Sequence, residues 1–96
     1  MKQLTILCSS DLSALVQEVL AASGVAGFLH APQAWGVMPA AAAPHGRPPR
    51  FPAELFLAAA TPEAVERAVD RLRRHAGACT EAPCLRLLVG PLETLL

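Results

Sequence analysis

"ELFLAAATPEAVERAVDRLRRHAG", residues 54–77, carries a strand, a capped helix and a helix stop in one run. Its first seven residues form an apolar, β-prone stretch that ends at Thr61-Pro62. Thr61 reads as an N-cap and Pro62 as the first helical residue, a position whose N–H has no intrahelical partner in any case. Val65, Ala68, Val69 and Leu72 then recur at helical spacing to make one buried stripe, and Gly77 ends the element. The exposed side carries Arg67, Arg71 and Arg74, with Glu63 four residues before Arg67, which predicts a solvated face with an i,i+4 ion pair.

A second strand and helix precede this run. "QLTILC" (residues 3–8) reads as a strand. Ser9, Ser10 and Asp11 offer capping side chains, and Leu12, Leu15, Val16, Val19 and Leu20 follow the pattern of an amphipathic helix that Gly24 stops. From residue 25 to about 37 the pattern weakens, with Phe28, His30 and Trp35 in an extended segment. "GVMPAAAAPHGRPPRFP" (36–52) follows; its Pro and Ala content neither continues a strand nor holds a helix, so it reads as a long loop in the middle hairpin. "CLRLLVGPL" (84–92) completes the set as a strand ended by Gly90-Pro91.

The order is βαββαβ. It predicts a single α+β domain over residues 1–96, ferredoxin-like, with a four-stranded antiparallel sheet and two helices on one face. Leu4, Ile6 and Cys8 alternate with Thr5 and Leu7, Leu55 and Leu57 with Phe56 and Ala58, and Leu85, Leu87 and Val89 with Arg86 and Leu88. Both sheet faces are thus largely apolar. A sheet covered on one side by helices has a face left over, and an apolar one predicts packing against further copies of the chain.

Composition narrows the function classes. The formal net charge is +0, so the basic footprint of nucleic-acid binding is missing. The opening "MKQLTILCSSDL" resembles a lipoprotein signal ending in cysteine, but its apolar run of about five residues falls short of the roughly 7–15 of a signal core. No apolar stretch reaches the roughly 18 residues of a membrane span. The chain reads as cytoplasmic, without membrane insertion. Cys8, Cys79 and Cys84 are an odd set, which argues against a structural disulfide framework. No nucleophile with a nearby base, paired carboxylates or Walker-type glycine loop is visible, so the chain does not read as an enzyme.

With these elements in place, the chain resembles the PII signalling family. The likeness runs through the βαββαβ order with a long loop in the middle hairpin, "MKQLTIL" at the start, "ASGVAGF" (22–28) at the turn after the first helix, and "LRLLVGPLETLL" at the end, and it covers nearly the whole chain. The resemblance implies a homotrimer with ligand clefts between subunits, and makes residues 36–52 the family's T-loop, an effector arm that docks on a target protein such as a transporter or an enzyme. PII-like relatives of this kind sense ADP, AMP, ATP or bicarbonate, which implies a small anionic ligand and no built-in cofactor. Trp35 and Gly36 stand where the family has an aromatic and a glycine at the loop base. The family's phosphate loop is replaced by "HAGACTEAPC" (75–84), with one Gly and no Lys, and the chain has no tyrosine to modify.

Arg47 and Arg50 flank Pro-Pro in the loop, and Arg86 lies on the last strand. A guanidinium fork matches phosphate or bicarbonate oxygens, so Trp35, Gly36, Arg47, Arg50 and Arg86 are the candidate ligand-binding residues. Loop arginines that merely keep a Pro/Ala segment soluble are the plainer alternative. Cys79 and Cys84, spaced C-x4-C, suit a reversible redox pair, or, with His75, soft ligands of a metal site. The latter is the alternative function: a metal-binding or metal-responsive trimer resembling the CutA group. As small hydrophobes at a strand edge the same cysteines would do neither. His30 reads as structural, His45 as a loop residue, and Cys8 as buried and inert.

Overall fold

Helix α2, Pro62–Arg73, starts where the sequence places it: Ala64 N donates to Thr61 Oγ1 at 3.2 Å, and Pro62 fills the first turn. Residues 1–25, 27–37, 50–75 and 84–93 are described by the structure, a computed structural model. The remaining elements are β1 (Lys2–Cys8), a 3-10 turn (Ser10–Leu12), α1 (Ser13–Ala22), β2 (Phe28–Val37), β3 (Arg50–Ala60) and β4 (Leu85–Pro91). The strands form one antiparallel sheet in the order β2-β3-β1-β4, the ferredoxin-like arrangement that the element order implied.

Alternation along the strands sends Leu4, Ile6, Cys8, Phe56, Ala58, Ala60 and Leu85 to one face, where they pack with Val16, Leu20, Val65, Ala68 and Leu72 of the helices. Burying each large side chain removes it from water for about 1.5–3 kcal/mol. The alanines let the helices approach the sheet closely. On the other face Thr5, Leu7, Leu55 and Leu57 are half-buried, while Leu29 and Leu88 are 72% and 63% exposed. The surplus apolar face expected from the sequence is therefore present.

Two local readings are corrected. Ser9, Ser10 and Asp11 do not cap α1: no side chain makes a cap hydrogen bond at Ser9 or at Leu12, which precedes the helix. Ser9 Oγ instead accepts from Cys84 N at 3.1 Å, and Ser9 N donates to Cys84 O at 3.0 Å, which ties the exit of β1 to the entry of β4. Nor does Arg67 pair with Glu63. Its Nε and Nη2 donate to Ser23 O at 3.2 and 3.0 Å, satisfying a carbonyl at the C-terminal end of α1, where a cation also suits the helix dipole. Gly24 does end α1, at φ 89°; Gly24 N reaches Ala21 O and Val25 N reaches Leu20 O, a Schellman arrangement closed by buried Val25 and Leu20.

Candidate functional site

Strand β2 contains one residue too many. Ala31 pairs with Leu55 and Ala34 with Ala53, so Pro32 and Gln33 together stand opposite Glu54. Such a bulge fits an edge strand, and Pro32 brings no N–H to the ladder there. The extra residue reverses the alternation of β2. Before the bulge Phe28 and His30 face the helix side, opposite Ala58 and Phe56; after it Trp35 and Val37 do so, opposite Pro52 and Arg50. Trp35 is thereby aimed at the helix-side mouth of the hairpin.

A cavity of about 420 Å³ opens at this place, between Ser10 of the 3-10 turn and Pro32, Gln33 and Trp35 of β2, with Pro52 of β3 as part of its wall. The Arg50 guanidinium lies 5.2 Å from the Trp35 ring centre, in cation–π range. The indole is 62% exposed, so most of its surface remains open to a ligand. The hairpin base thus offers an aromatic plane, a hydroxyl and a carboxamide around one opening, with the Arg50 guanidinium next to the indole.

Beneath the bulge lies a carboxylate that sequence reasoning did not single out. Glu54 is only 7% exposed. His30 Nε2 lies 2.6 Å from its Oε1. Burial by itself would raise the carboxyl, but the bonds from His30, Ser13 and Ser10 and the His30 charge outweigh it and hold Glu54 below its ordinary value. An ionised carboxylate only accepts, so Nε2 carries the proton of this bond. The His30 ring stacks on Phe56 at 4.2 Å and 7°, which fixes its plane. Period-two alternation with Phe56, Ala58 and Ala60 was the signal that Glu54 points inward.

The structure brings Trp35 and Arg50 together and gives Gly36 a packing role. A Cβ built on Gly36 would lie 2.0 Å from the Phe51 ring, which crosses the glycine from the paired strand. Gly36, Val37 and residues 50–52 are paired strand residues, so both ends of the 36–52 stretch belong to the sheet. Arg86 stands elsewhere in the chain. It is on β4, the opposite edge, facing the open side opposite Leu7, and it donates to its own Leu85 O at 3.1 Å.

Arg47, His45 and Cys79 lie outside the described residues, as does most of the 75–84 stretch. Of that stretch, His75 donates from its backbone to Leu72 O, and Cys84 is disulfide-bonded with φ 55°. A disulfide sulfur offers no thiolate to a metal. Among the described residues no group of three or more His, Cys, Asp or Glu could hold a metal ion, and no helix is long and apolar enough to cross a membrane. Cys8 is a free, buried thiol, pushed up to about 11 by burial, with Glu54 and Asp11 adding to the shift.

No protein-family model matches the chain, and no curated protein matches it. Solved structures do. CPII, a nitrogen regulatory PII-like protein from Thiomonas intermedia K12, bound to ADP, AMP and bicarbonate, superposes with a TM-score of 0.70 at 16% identity, over 93% of this chain and 82% of that one. The same protein bound to ADP and bicarbonate gives 0.68 at 17% identity with the same coverage. A PII-like signalling protein from Thermus thermophilus gives 0.64 at 18% identity, again over 93% and 82%. With the sheet order, the two helices and the hairpin-base cavity in hand, these superpositions show that the chain has the PII-like fold.

Proposed function

We propose that the chain is a divergent, non-enzymatic PII-like regulatory protein that works as a homotrimer. Its open, apolar sheet faces pack together, a small anionic effector, either an adenine nucleotide or bicarbonate or both, binds at inter-subunit clefts built on the hairpin base, and residues 36–52 carry the ligand state to a target protein. The observation behind this reading is the pairing of Trp35 with Arg50 beside a cavity, in a fold whose solved neighbours hold ADP, AMP and bicarbonate. An exposed indole is a platform for a purine ring, and the guanidinium beside it is a fork for phosphate or bicarbonate oxygens. Trimer packing is what would bring Arg86 of one subunit near the hairpin base of the next. If the target senses the ligand-bound loop, it must in turn shift ligand affinity by the same factor.

Calorimetry on metal-free, reduced protein tests the reading, with ADP and ATP injected in the presence and absence of bicarbonate. Binding near one ligand per subunit is expected, weakened about 10-fold or more by Arg50→Ala through loss of a charge-assisted contact. Heat from zinc or copper alone, abolished by replacing Cys79 and Cys84, would replace this reading with the metal-binding one. Light scattering that shows a monomer at micromolar concentration would refute the trimer.

A further inference from the structure

Two consecutive side chains of the bulge share one face of the sheet. Counting on from Phe28 and His30, Pro32 falls on the helix side; counting back from Val37 and Trp35, Gln33 does too. An unbroken strand would send one of the two to the open face, but both line the cavity at the hairpin base. The bulge thus turns Gln33 into a cavity where Pro32, Trp35 and Pro52 supply flat, apolar walls, with Ser10 of the 3-10 turn alongside.

No charged side chain lines this cavity among the described residues; charge stands beyond its two ends. Behind one end is the Glu54 carboxylate, opposite Pro32 and Gln33, with His30 Nε2 already engaged on it. Beyond the other, on the same face of β3, the Arg50 guanidinium lies over the Trp35 ring. Glu54 and Arg50 are four residues apart, about 13 Å along an extended strand. An anion beside Gln33 would face a carboxylate with no cation in the wall, whereas one beyond Trp35 would be drawn to Arg50. The Gln33 end therefore suits an uncharged group that both gives and takes hydrogen bonds.

Building on the adenine-nucleotide form of the effector reading, we infer that Gln33 is the specificity-determining residue of this cavity, which holds the adenine base while the phosphates pass Trp35 toward Arg50. A carboxamide presents an acceptor and a donor side by side. Adenine offers the matching pair on one edge, its N6 amino group as donor and N7 as acceptor, so two hydrogen bonds form together. Guanine offers two acceptors there, O6 and N7, one of which would face the Gln33 oxygen. The indole, 62% exposed, supplies the stacking plane. At about 420 Å³ the cavity is in the range of small-molecule pockets and far larger than bicarbonate fills.

Trp35 is the chain's one tryptophan, so quenching of its fluorescence reports occupancy of the cavity in the full-length protein. Titration with ADP and with GDP should show ADP binding about 5- to 100-fold tighter, the worth of one bidentate base contact. Gln33 is exposed, so replacing it spares the core. Gln33→Leu should bring the two affinities together, and Gln33→Arg, whose guanidinium matches O6 and N7, should favour GDP. Arg50→Ala should weaken both nucleotides and leave their ratio unchanged. A merely structural role for Gln33 would weaken both without moving the ratio; that result overturns the inference, as does equal affinity of wild type for ADP and GDP, and the effector reading survives either. Calorimetry separates the remaining outcomes. Heat from bicarbonate with none from either nucleotide keeps the effector reading and removes the base site, and no heat from any of the three overturns both.

Discussion

Replacing Gly36 by alanine adds one methyl group and should destabilise the hairpin base out of proportion to its size. The new Cβ would lie 2.0 Å from Phe51 Cε2 and Cζ, against an ordinary carbon contact of about 3.5–4.0 Å, so the ring has to leave. Overpacking of this kind costs about 1–3 kcal/mol. Gly36 is not in the left-handed region, so its backbone accepts alanine without strain. That makes the sign conditional on Phe51. In a Phe51→Ala background, Gly36→Ala should be neutral or stabilise by about 0.4–1 kcal/mol, because alanine restricts the unfolded chain more than glycine does. Urea denaturation of the four proteins, followed by far-ultraviolet circular dichroism at one fixed protein concentration, gives the cycle. A coupling of about 1 kcal/mol or more is expected, and the two substitutions adding within about 0.5 kcal/mol would refute the ring-over-glycine argument.

Glu54 has its carboxyl lowered from 4.5 in the folded chain, so its contribution to stability is complete above that value and disappears as pH falls through the lower, folded one. Denaturation from pH 7 down to pH 3 should therefore show wild type losing stability below about pH 4.5 more steeply than Glu54→Gln, and equal slopes would contradict the lowering. Cys8, buried with its thiol near 11, should stay unmodified by iodoacetamide at pH 8 in the native protein and react fully in urea. Rapid native labelling at Cys8, read by intact mass and peptide mapping, would contradict its burial.

The element order was legible because its signals are local. The cap Thr61, the first-turn Pro62, the stop Gly24 and the three alternating strands act over a few residues each, and the sheet order followed from joining them. Trp35 and Arg50 were legible as candidates from residue type and from likeness to a family motif. Their meeting was not, because they are fifteen positions apart in sequence and touch only through cross-strand register.

What the sequence determined by itself is the framework: which segments become strands and helices, and which faces are apolar. Tertiary structure decided where the polar groups went. A serine next to a helix can cap it or bond a distant backbone, and only the packing chose Cys84 for Ser9. Arg67 likewise left its i,i+4 partner for the Ser23 carbonyl, since an orphaned helix-end acceptor is worth more than an exposed ion pair. The bulge at Pro32 and Gln33 is the clearest case: one extra residue in β2 moves Trp35 from one face of the sheet to the other, and only pairing with β3 shows which residue is extra.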